Sequence, residues 1–176
     1  MIFLEKMNVL AITGSPRSES VSKKMLEKFL LELECDSEAD LNVTIIDSYK
    51  TAAKPCIHCG TCKKKFDCIY DDLDLFHKAL KDADMLIIAT PCYALSFPSP
   101  LKAIVDRLQM YFEAKFSLGM LPYPIKKPKT GILLASCGSN DTRGFDIMEQ
   151  QLRLVFRAIN TELSKTFFTV NTDKKE

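Results

Sequence analysis

The segment Met7-Asn-Val-Leu-Ala-Ile-Thr13-Gly14-Ser-Pro-Arg-Ser-Glu-Ser20 indicates the class of fold that this chain adopts. Its first seven residues form an apolar run that ends at Gly14, as expected for a strand buried on both faces of a parallel sheet. From Ser20 onward, apolar residues recur at helical spacing as far as Leu33. The segment therefore predicts a strand, a short loop and a helix, which is the first part of a βαβ unit.

Strand and helix patterns alternate along the rest of the chain. Further strands are predicted at residues 41–47, 83–90, 130–136 and 165–170, with helices from residue 73, from residue 98 or 100 to 112, and over 145–159. This alternation is typical of an α/β fold in which a five-stranded parallel sheet carries helices on both faces. Ligands bind to such sheets beyond the carboxyl ends of the strands. The loops of interest therefore begin at Thr13, Asp47, Thr90 and Ser136.

Length and charge limit the kind of protein this is. With 176 residues the chain suits a single domain, predicted to span residues 1–176. Its 24 Lys and Arg residues nearly balance its 23 Asp and Glu residues, so no net field draws it to nucleic acid or to an anionic membrane. We therefore expect small-molecule or protein partners. Residues 119–129 hold three prolines and are predicted to be loop, and the polar residues 171–176 are expected to fray.

The N-terminal residues and the cysteine content bear on localisation. The start of the chain, residues 1–8, has no basic segment followed by a long apolar stretch, so no signal peptide is predicted. No apolar run elsewhere reaches the roughly 20 residues that a membrane-spanning helix needs. A cytoplasmic protein is expected. That compartment keeps thiols reduced, so clustered cysteines indicate metal or redox chemistry rather than structural disulfides, and the odd total of seven agrees with this interpretation.

The loop after the first predicted strand has the composition of an anion site. Serine hydroxyls and backbone N–H groups can converge there at a helix N-terminus, where an anion is favoured. The G-x-G-x-x-G and G-x-x-x-x-G-K-[ST] motifs are absent, and several hydroxyls with Arg17 suit a phosphate monoester instead. The alternative is that Ser18 or Ser20 only caps the helix while Arg17 lies in solvent.

Four of the seven cysteines fall within thirteen residues, in the run Cys56-Ile-His-Cys59-Gly-Thr-Cys62-Lys-Lys-Lys-Phe-Asp-Cys68. They lie in a predicted loop insertion at about residues 48–70, and long loops usually carry function. The C-x2-C-x2-C-x5-C spacing favours one self-contained [4Fe–4S] cluster with all four thiolates as ligands. Zinc is a second interpretation, although zinc sites more often use two separated C-x2-C pairs. The third is a loop of free thiols that binds no metal.

Four short motifs occur in order around this cysteine run. They are Gly14-Ser-Pro-Arg-Ser-Glu-Ser20, Asp82-Ala-Asp84, Ala89-Thr-Pro-Cys-Tyr93 and Leu101-Lys-Ala-Ile-Val-Asp-Arg107. In this order they resemble the flavodoxin-like NAD(P)H-dependent FMN reductases, and the cysteine run makes the chain most similar to the iron–sulfur flavoproteins of that superfamily. The resemblance covers about residues 7–160 and implies a flavodoxin-like three-layer sandwich with strand order 2-1-3-4-5.

The resemblance also implies an FMN site. The first loop would hold the FMN phosphate, and the loops after the third and fourth strands would lie against the isoalloxazine ring. The residues implied are Ser15, Arg17, Ser18, Ser20, Val21 and Ser22 in the first loop, Thr90, Pro91, Cys92 and Tyr93 in the second, and Ser136, Cys137 and Gly138 in the third. No catalytic side chain is implied, because the flavin carries the redox chemistry. From the residues themselves, Cys35, Cys92 and Cys137 are interpreted as packing residues.

These expectations lead to one main functional hypothesis and two alternatives. The main hypothesis is an FMN-dependent oxidoreductase that passes electrons between a two-electron donor and a one-electron acceptor through FMN and a [4Fe–4S] cluster, with NAD(P)H among the candidate donors. The first alternative is an NAD(P)H-dependent FMN or quinone reductase without a cluster. The second is a non-catalytic flavodoxin-like electron carrier. The resemblance further implies a homodimer or homotetramer, with the cysteine loop of one subunit near a neighbour's flavin.

Overall fold

Five parallel strands form a single sheet in the order β2-β1-β3-β4-β5, in a computed structural model that describes residues 6–36, 39–120, 125 and 127–174. The strands are β1 (Lys6–Thr13), β2 (Asp40–Asp47), β3 (Met85–Pro91), β4 (Lys129–Ser136) and β5 (Thr161–Thr169). Each neighbouring pair runs parallel. The predicted fold class and strand order are confirmed.

Helices cover both faces of the sheet and make the fold a three-layer sandwich. The described helices are α1 (Val21–Asp36), α2 (Ser48–Thr51), α3 (Asp74–Asp82), α4 (Ser99–Arg107), α5 (Gln109–Phe116) and α6 (Arg143–Phe156). On one face, α1 packs through Leu26 against Val9 and Ala11. On the other, α3 to α6 pack against the alternate residues Leu10 and Ile12. Because both sets of side chains in β1 are buried, its sequence is a continuous apolar run rather than an alternating one.

The helix predicted from residue 98 or 100 to residue 112 is divided in two at Leu108. The Leu108 N–H donates to the carbonyl of Val105 at 3.2 Å, and the Tyr111 N–H donates to the carbonyl of Leu108 at 2.9 Å. Both are bonds between residues three apart, which tighten the chain locally and end one helix before the next begins. The apolar stripe continues through the break, so the sequence pattern did not reveal it.

Two other elements differ from the sequence prediction. The short helix α2 was not predicted; it forms because the Asp47 carboxylate accepts the N–H groups of Tyr49 and Lys50, at 3.0 and 3.3 Å. The fifth strand begins at Thr161, not at residue 165. Asn160 adopts a left-handed conformation with φ 52° and turns the chain from the 3-10 turn Arg157–Ile159, which follows α6, into the strand.

Some expectations fall on parts of the chain that are not described. Residues 1–5, on which the N-terminal prediction partly rests, and most of the proline-containing residues 121–126 lie outside the described ranges. The single-domain boundaries at residues 1–176 stay a prediction, although one sheet includes strands from Lys6 to Thr169. Within the described ranges, no helix combines the length and apolar character needed to span a bilayer.

Candidate functional site

A cleft of about 420 Å³ opens at the carboxyl edge of the sheet, where ligands of such folds bind. Its volume lies within the usual range for small-molecule sites. Its lining comes from the loop after β1, the loops after β3 and β4, and the end of β5 with the residues that follow it. The lining residues are Ser15, Arg17, Glu19, Ser20, Val21, Pro91, Tyr93, Ser136, Gly138, Thr169, Val170, Asn171, Thr172 and Asp173.

Gly14 lets the first loop lie directly against the end of β3. The Gly14 N–H donates to the carbonyl of Ala89 at 2.8 Å, and a Cβ at this position would overlap the Thr90 side chain. Thr90 is fully buried, and its hydroxyl donates to the carbonyl of Pro91 at 2.9 Å. Thr90 therefore supports the wall of the cleft from behind and does not line it.

The serines of the first loop divide between the cleft and the interior. Ser20 Oγ accepts the N–H of Lys23 at 3.3 Å, so Ser20 caps α1, and it also lines the cleft. Ser15 Oγ accepts the N–H of Arg17 at 3.3 Å. Ser22 is fully buried beside Ser20, with 3.3 Å between their hydroxyl oxygens. Ser20 thus both caps α1 and lines the cleft, although helix capping and anion binding were predicted from the sequence as alternatives.

The loop after β3 forms a tight hairpin whose backbone groups are already paired. The Cys92 N–H donates to the carbonyl of Ser136 at 2.7 Å, and Tyr93 and Ser96 exchange two backbone hydrogen bonds of 2.9 Å. Between them, Ala94 and Leu95 both lie in the left-handed region, with φ 47° and 63°. Non-glycine residues in that region cost about 1–2 kcal/mol each. The hairpin therefore presents Pro91 and Tyr93 to the cleft as side-chain surface.

The residues after β5 lie over the loop after β4. The N–H of Asn171 donates to the carbonyl of Ser139 at 2.9 Å, and that of Thr172 to the carbonyl of Cys137 at 3.2 Å. The expectation that residues 171–176 fray is therefore wrong for 171–173, whose N–H groups all donate to the loop after β4; 175 and 176 lie outside the described residues. Sequence reasoning missed this wall of the cleft, although the end of β5 lies at the same sheet edge as the other loops.

Eight of the thirteen predicted cofactor residues line the cleft: Ser15, Arg17, Ser20, Val21, Pro91, Tyr93, Ser136 and Gly138. Five do not line it, namely Ser18, Ser22, Thr90, Cys92 and Cys137. The structure adds six lining residues, namely Glu19, Thr169, Val170, Asn171, Thr172 and Asp173, and the Asp173 carboxylate lies against Gly138. The first loop thus brings Ser15, Ser20 and Arg17 to the cleft, together with the Glu19 carboxylate, which pairs with Lys24 at 3.4 Å. The serines, Arg17 and the amino end of α1 suit the phosphate of FMN, and the loops after β3 and β4 leave separate walls for its uncharged ring.

The four cysteines of the run line a second, smaller cavity of about 40 Å³. Other residues that line this cavity include Ile57, His58, Tyr70, Arg107, Gln109, Met110 and Glu113. Left-handed turns at His58 and Gly60 reverse the chain, and a 3-10 turn at Thr61–Lys63 follows. Across the described residues, no three Cys, His, Asp or Glu side chains are arranged as a ligand set for a metal ion. The thiols suit iron or zinc chemically, so the metal site stays a prediction.

Neighbouring thiols in this cavity have pKa values shifted in opposite directions. The Cys59 thiol lies 3.3 Å from Thr61 Oγ1, and hydrogen bonding to Thr61 lowers the pKa of Cys59. Burial raises the pKa of Cys62, and the Glu113 carboxylate adds to this effect. Hydrogen bonds from Ser117 and Gln109 hold the pKa of Glu113 below its ordinary value, which keeps that carboxylate charged. Cys59 is therefore the more readily ionised thiol of the pair.

Asp72 fastens the base of the cysteine segment, which we define as residues 54–72. One Asp72 oxygen accepts the N–H of Lys54 at 2.8 Å, and the other pairs with the Arg107 guanidinium of α4. Arg107 is almost fully buried and also donates to the carbonyl of Tyr70 at 3.0 Å. Burial alone would raise the pKa of Asp72, but these two partners hold it below its ordinary value. We call this set of contacts the Asp72 clasp.

His77 and Tyr111 lie beneath the same segment. His77 Nδ1 and the Tyr111 hydroxyl are 2.9 Å apart, and the Phe66 ring packs edge-on against Tyr111 at 5.4 Å between centroids. Burial, with a smaller contribution from the charge of Arg107, lowers the pKa of His77 to about 4. His77 is therefore neutral at physiological pH and supports the segment structurally.

Comparison with known proteins places the chain in a family. The sequence profile described as NADPH-dependent FMN reductase matches residues 7–174. The chain belongs to this family. The match includes every strand except the first residue of β1, and it reaches the residues after β5 that complete the cleft.

Curated relatives carry the name iron-sulfur flavoprotein. One from Archaeoglobus fulgidus is 35% identical over 106 residues, which cover 60% of this chain and 47% of the relative. One from Methanosarcina thermophila is 29% identical over 136 residues, which cover 77% of this chain and 65% of the relative. The chain thus spans about half to two thirds of the length of these relatives.

Solved structures share the fold at low sequence identity. An NAD(P)H:quinone oxidoreductase from Methanothermobacter marburgensis superimposes with a TM-score of 0.68 at 17% identity, covering 97% of this chain and 87% of that one. An FMN-dependent NADH-azoreductase from Bacillus anthracis in complex with FMN gives 0.66 at 17% identity, covering 96% and 89%. These structural similarities establish that the protein has the flavodoxin-like fold.

Proposed function

We propose that this protein is an FMN-dependent oxidoreductase of the iron–sulfur flavoprotein type. Its cleft holds FMN, and Cys56, Cys59, Cys62 and Cys68 hold a [4Fe–4S] cluster. When bound, these groups supply two-electron and one-electron transfer, so the protein connects a two-electron donor with a one-electron acceptor. The observation that carries the proposal is that all four cysteines of the run line one cavity in a member of the FMN reductase family.

The first loop is the proposed phosphate site. Ser15 and Ser20 line the cleft, each with a hydroxyl that can also donate to a phosphate oxygen, and Arg17 adds a positive charge. The amino end of α1 starts directly after Ser20, so its backbone dipoles also favour an anion there. Ser18, which does not line the cleft, makes no direct contact in this proposal.

The loops after β3, β4 and β5 are the proposed ring site. Pro91 and Tyr93 form one wall, and Ser136 with Gly138 forms the neighbouring one. The backbone N–H groups of Cys92 and Tyr93 are paired within the protein, so these walls hold a planar ring by surface contact. Such surface contact also keeps water away from the part of the ring that it covers.

The cysteine cavity is lined by four thiols and by both acidic and basic side chains. Glu113 is buried on one side, while Lys63 lies within the run and is exposed. Cys59, whose pKa is lowered, supplies the thiolate that a metal requires most readily. Iron–sulfur ligation agrees with the continuous x2 spacing of the first three cysteines better than zinc does.

The partners in this proposal are small-molecule or protein redox partners, with NAD(P)H as the electron donor, and a second copy of the chain in a homodimer or homotetramer. An aromatic pair on α5 supports the oligomer: Phe112 and Phe116 are 42% and 62% exposed, with 4.4 Å between ring centroids. Met110 and Glu113 of the same helix line the cysteine cavity. Sedimentation velocity of the purified protein tests the oligomer, and a monomer at all concentrations would remove this part of the proposal. A cytoplasmic location is also proposed.

Anaerobic purification tests the cluster and the flavin in one sample. We expect about four iron atoms and four acid-labile sulfides per chain, an EPR signal after reduction, and FMN bands in the absorption spectrum. Cys68→Ala should lose the iron and keep FMN, while Cys35→Ala, which changes an exposed cysteine outside the run, should keep both. Iron-free protein after anaerobic reconstitution that still binds FMN would reject the cluster and favour the reductase without one.

Rapid mixing with NADH and NADPH tests the enzyme activity. We expect bleaching of the bound flavin by at least one of the two nicotinamides, followed by turnover with a quinone or a one-electron acceptor. If neither nicotinamide bleaches the flavin, the non-catalytic electron carrier becomes the better account. Protein that binds no FMN at all would reject the proposed function as a whole.

A further inference from the structure

We propose that Cys92 and Cys137 form a reversible disulfide between the loops after β3 and β4. Both are free, partly exposed cysteines, and neither belongs to the cysteine run. The FMN and cluster proposals assign them no role, and the disulfide does not depend on either cofactor. It can therefore be tested, and can fail, independently of the proposed function.

The sheet register places the two cysteines side by side. Pro91 of β3 is the register partner of Ser136 of β4, and each is followed by one of the cysteines. The Cys92 N–H donates to the carbonyl of Ser136 at 2.7 Å, so the two chains still run together where the cysteines occur. Adjacent strands are about 4.8 Å apart, which lies within the Cα separation of 4.4–6.8 Å that disulfides span.

Both side chains project to the same face of the sheet. Cys92 and Cys137 pack against the same core cluster, on the side covered by α3 to α6. Cys92 Sγ lies against Gly144 in the first turn of α6, where a larger residue would displace it. Burial raises the pKa of Cys92, and the charge of a Cys137 thiolate raises it further, as expected if the two sulfur atoms are close together.

The bond would join the two walls of the cleft. Pro91 and Tyr93 flank Cys92, while Ser136 and Gly138 flank Cys137, and these four residues line the cleft. A disulfide behind them adds a covalent link to walls that the backbone bond from Cys92 to Ser136 already holds side by side. Its state thus provides a redox-dependent reinforcement of the cleft.

The oxidant we invoke is a low-molecular-weight disulfide such as oxidised glutathione. The Cys137 thiolate attacks one glutathione sulfur, whose S–S bond breaks and releases the other glutathione as a thiolate. The Cys92 thiolate then attacks Cys137 Sγ and releases the second glutathione. In sum, two cysteine thiols lose two electrons and two protons, and one glutathione disulfide becomes two glutathione thiols. Excess dithiothreitol reverses the reaction.

Peptide mapping of the intact protein tests this pairing directly. The protein is treated with oxidised glutathione, its remaining thiols are blocked with iodoacetamide, and it is digested with trypsin without reduction. Cleavage after Lys and Arg places Cys92 in peptide 82–102 and Cys137 in peptide 130–143, whereas Cys35 and the cysteines of the run fall in other peptides. We expect a cross-linked 82–102/130–143 species that disappears on treatment with dithiothreitol.

Single substitutions provide the controls. Cys92→Ser and Cys137→Ser should each abolish the cross-linked species, while Cys35→Ser should leave its yield within twofold of the unmodified protein. Separate glutathione adducts on Cys92 and Cys137 without a cross-link would overturn the proposal, because both thiols would then be reactive but too far apart. A cross-link from either residue to a cysteine of the run would overturn it as well. So would complete alkylation of both cysteines after the glutathione treatment.

Discussion

The cleft and the cysteine segment differ in what holds them in place. The cleft is formed by loops that directly follow β1, β3, β4 and β5, so the register of the strands sets the positions of its walls. The cysteine segment follows β2 and α2, and its base is fastened by the Asp72 clasp. The sheet therefore determines the position of the first site, and a few side chains determine the position of the second. Substitutions that affect one and spare the other can test this difference.

Arg107→Met is expected to have the largest effect, on the cysteine segment. The substitution keeps most of the side-chain volume but removes the charged partner of Asp72, which keeps the N–H of Lys54 as a donor, and the donor to the Tyr70 carbonyl. Breaking a buried ion pair by removing one partner typically costs about 3–5 kcal/mol. We expect the free energy of unfolding in urea to fall by about 3 kcal/mol, and trypsin cleavage at the exposed Lys63 to accelerate.

Lys102→Met is the matched control for this substitution, since it breaks an exposed ion pair with Asp106 one turn earlier in the same helix. Such pairs contribute about 0.2–1 kcal/mol. Equal losses of stability in the two variants would show that the clasp does not hold the segment.

The pH dependence of stability should reveal His77, beneath the same segment. Its pKa is about 4 in the folded protein and about 6.5 in the unfolded chain, so the unfolded chain binds the proton more tightly. The contribution of His77 is therefore complete above pH 6.5 and is lost as the pH falls toward 4, with a total of about 3 kcal/mol. Urea unfolding at several pH values measures this slope. In His77→Gln the slope between pH 6.5 and 4 should decrease, and an unchanged slope would assign the acid sensitivity to other groups.

Gly14→Ala tests the cleft, where the loop lies against β3. The added methyl group would overlap the Thr90 side chain, and overpacking of this kind costs about 1–3 kcal/mol. FMN binding, followed by quenching of flavin fluorescence, should weaken together with stability, whereas cleavage at Lys63 should not change.

Thr90→Ala supplies the second half of a double-mutant cycle for this contact. It removes the hydroxyl nearest to the added methyl group, so the double variant should be more stable than the sum of the single changes predicts. Additive losses would show that the overlap with Thr90 is not what limits position 14.

The smallest expected effect is a gain in stability, from Ala94→Gly in the left-handed hairpin. Glycine removes a conformational cost of about 1–2 kcal/mol, and part of this gain is lost through greater freedom of the unfolded chain. We expect a net gain of about 0.5 kcal/mol in the free energy of unfolding. Ala79→Gly, in the middle of α3, should instead cost about 1 kcal/mol. A loss at position 94 would mean that other contacts compensate for the left-handed turn.

The sequence predicted those parts of the fold whose burial produces a local pattern. The continuous apolar run of β1 identifies a strand that is buried on both faces. The start of β5 was missed because buried Thr161 and Leu163 alternate with exposed Glu162 and Ser164, which leaves few apolar residues to detect. The residues after β5 were missed because backbone hydrogen bonds, which any sequence can form, hold them against the loop after β4.

The candidate sites were predicted from contiguous segments, from the rule that ligands bind at the carboxyl edge of the sheet, and from the family resemblance, which together brought the loops after β3 and β4 to the first loop. The first loop and the cysteine run are each contiguous, so their chemistry could be recognised from spacing. The clasp joins Asp72 to Arg107, which are 35 positions apart. From the sequence alone, Asp72 is explained by its place before the amino end of a helix and Arg107 by pairing within its own helix, so nothing indicates that they meet. The register between β3 and β4 could not be predicted from the sequence either, and only that register reveals that Cys92 and Cys137 are neighbours.

The contact between Asp72 and Lys54 also has a consequence for how this protein can change over evolutionary time. It joins two points 18 positions apart, so the chain between them forms a loop whose ends are already held together. Doubling the length of a flexible loop costs only about 0.6 kcal/mol in closure entropy. Insertions or altered cysteine spacing in the exposed part of the segment should therefore be tolerated as long as Phe66 keeps its packing against Tyr111. The segment can accept new thiol chemistry while its two ends and Phe66 stay in place.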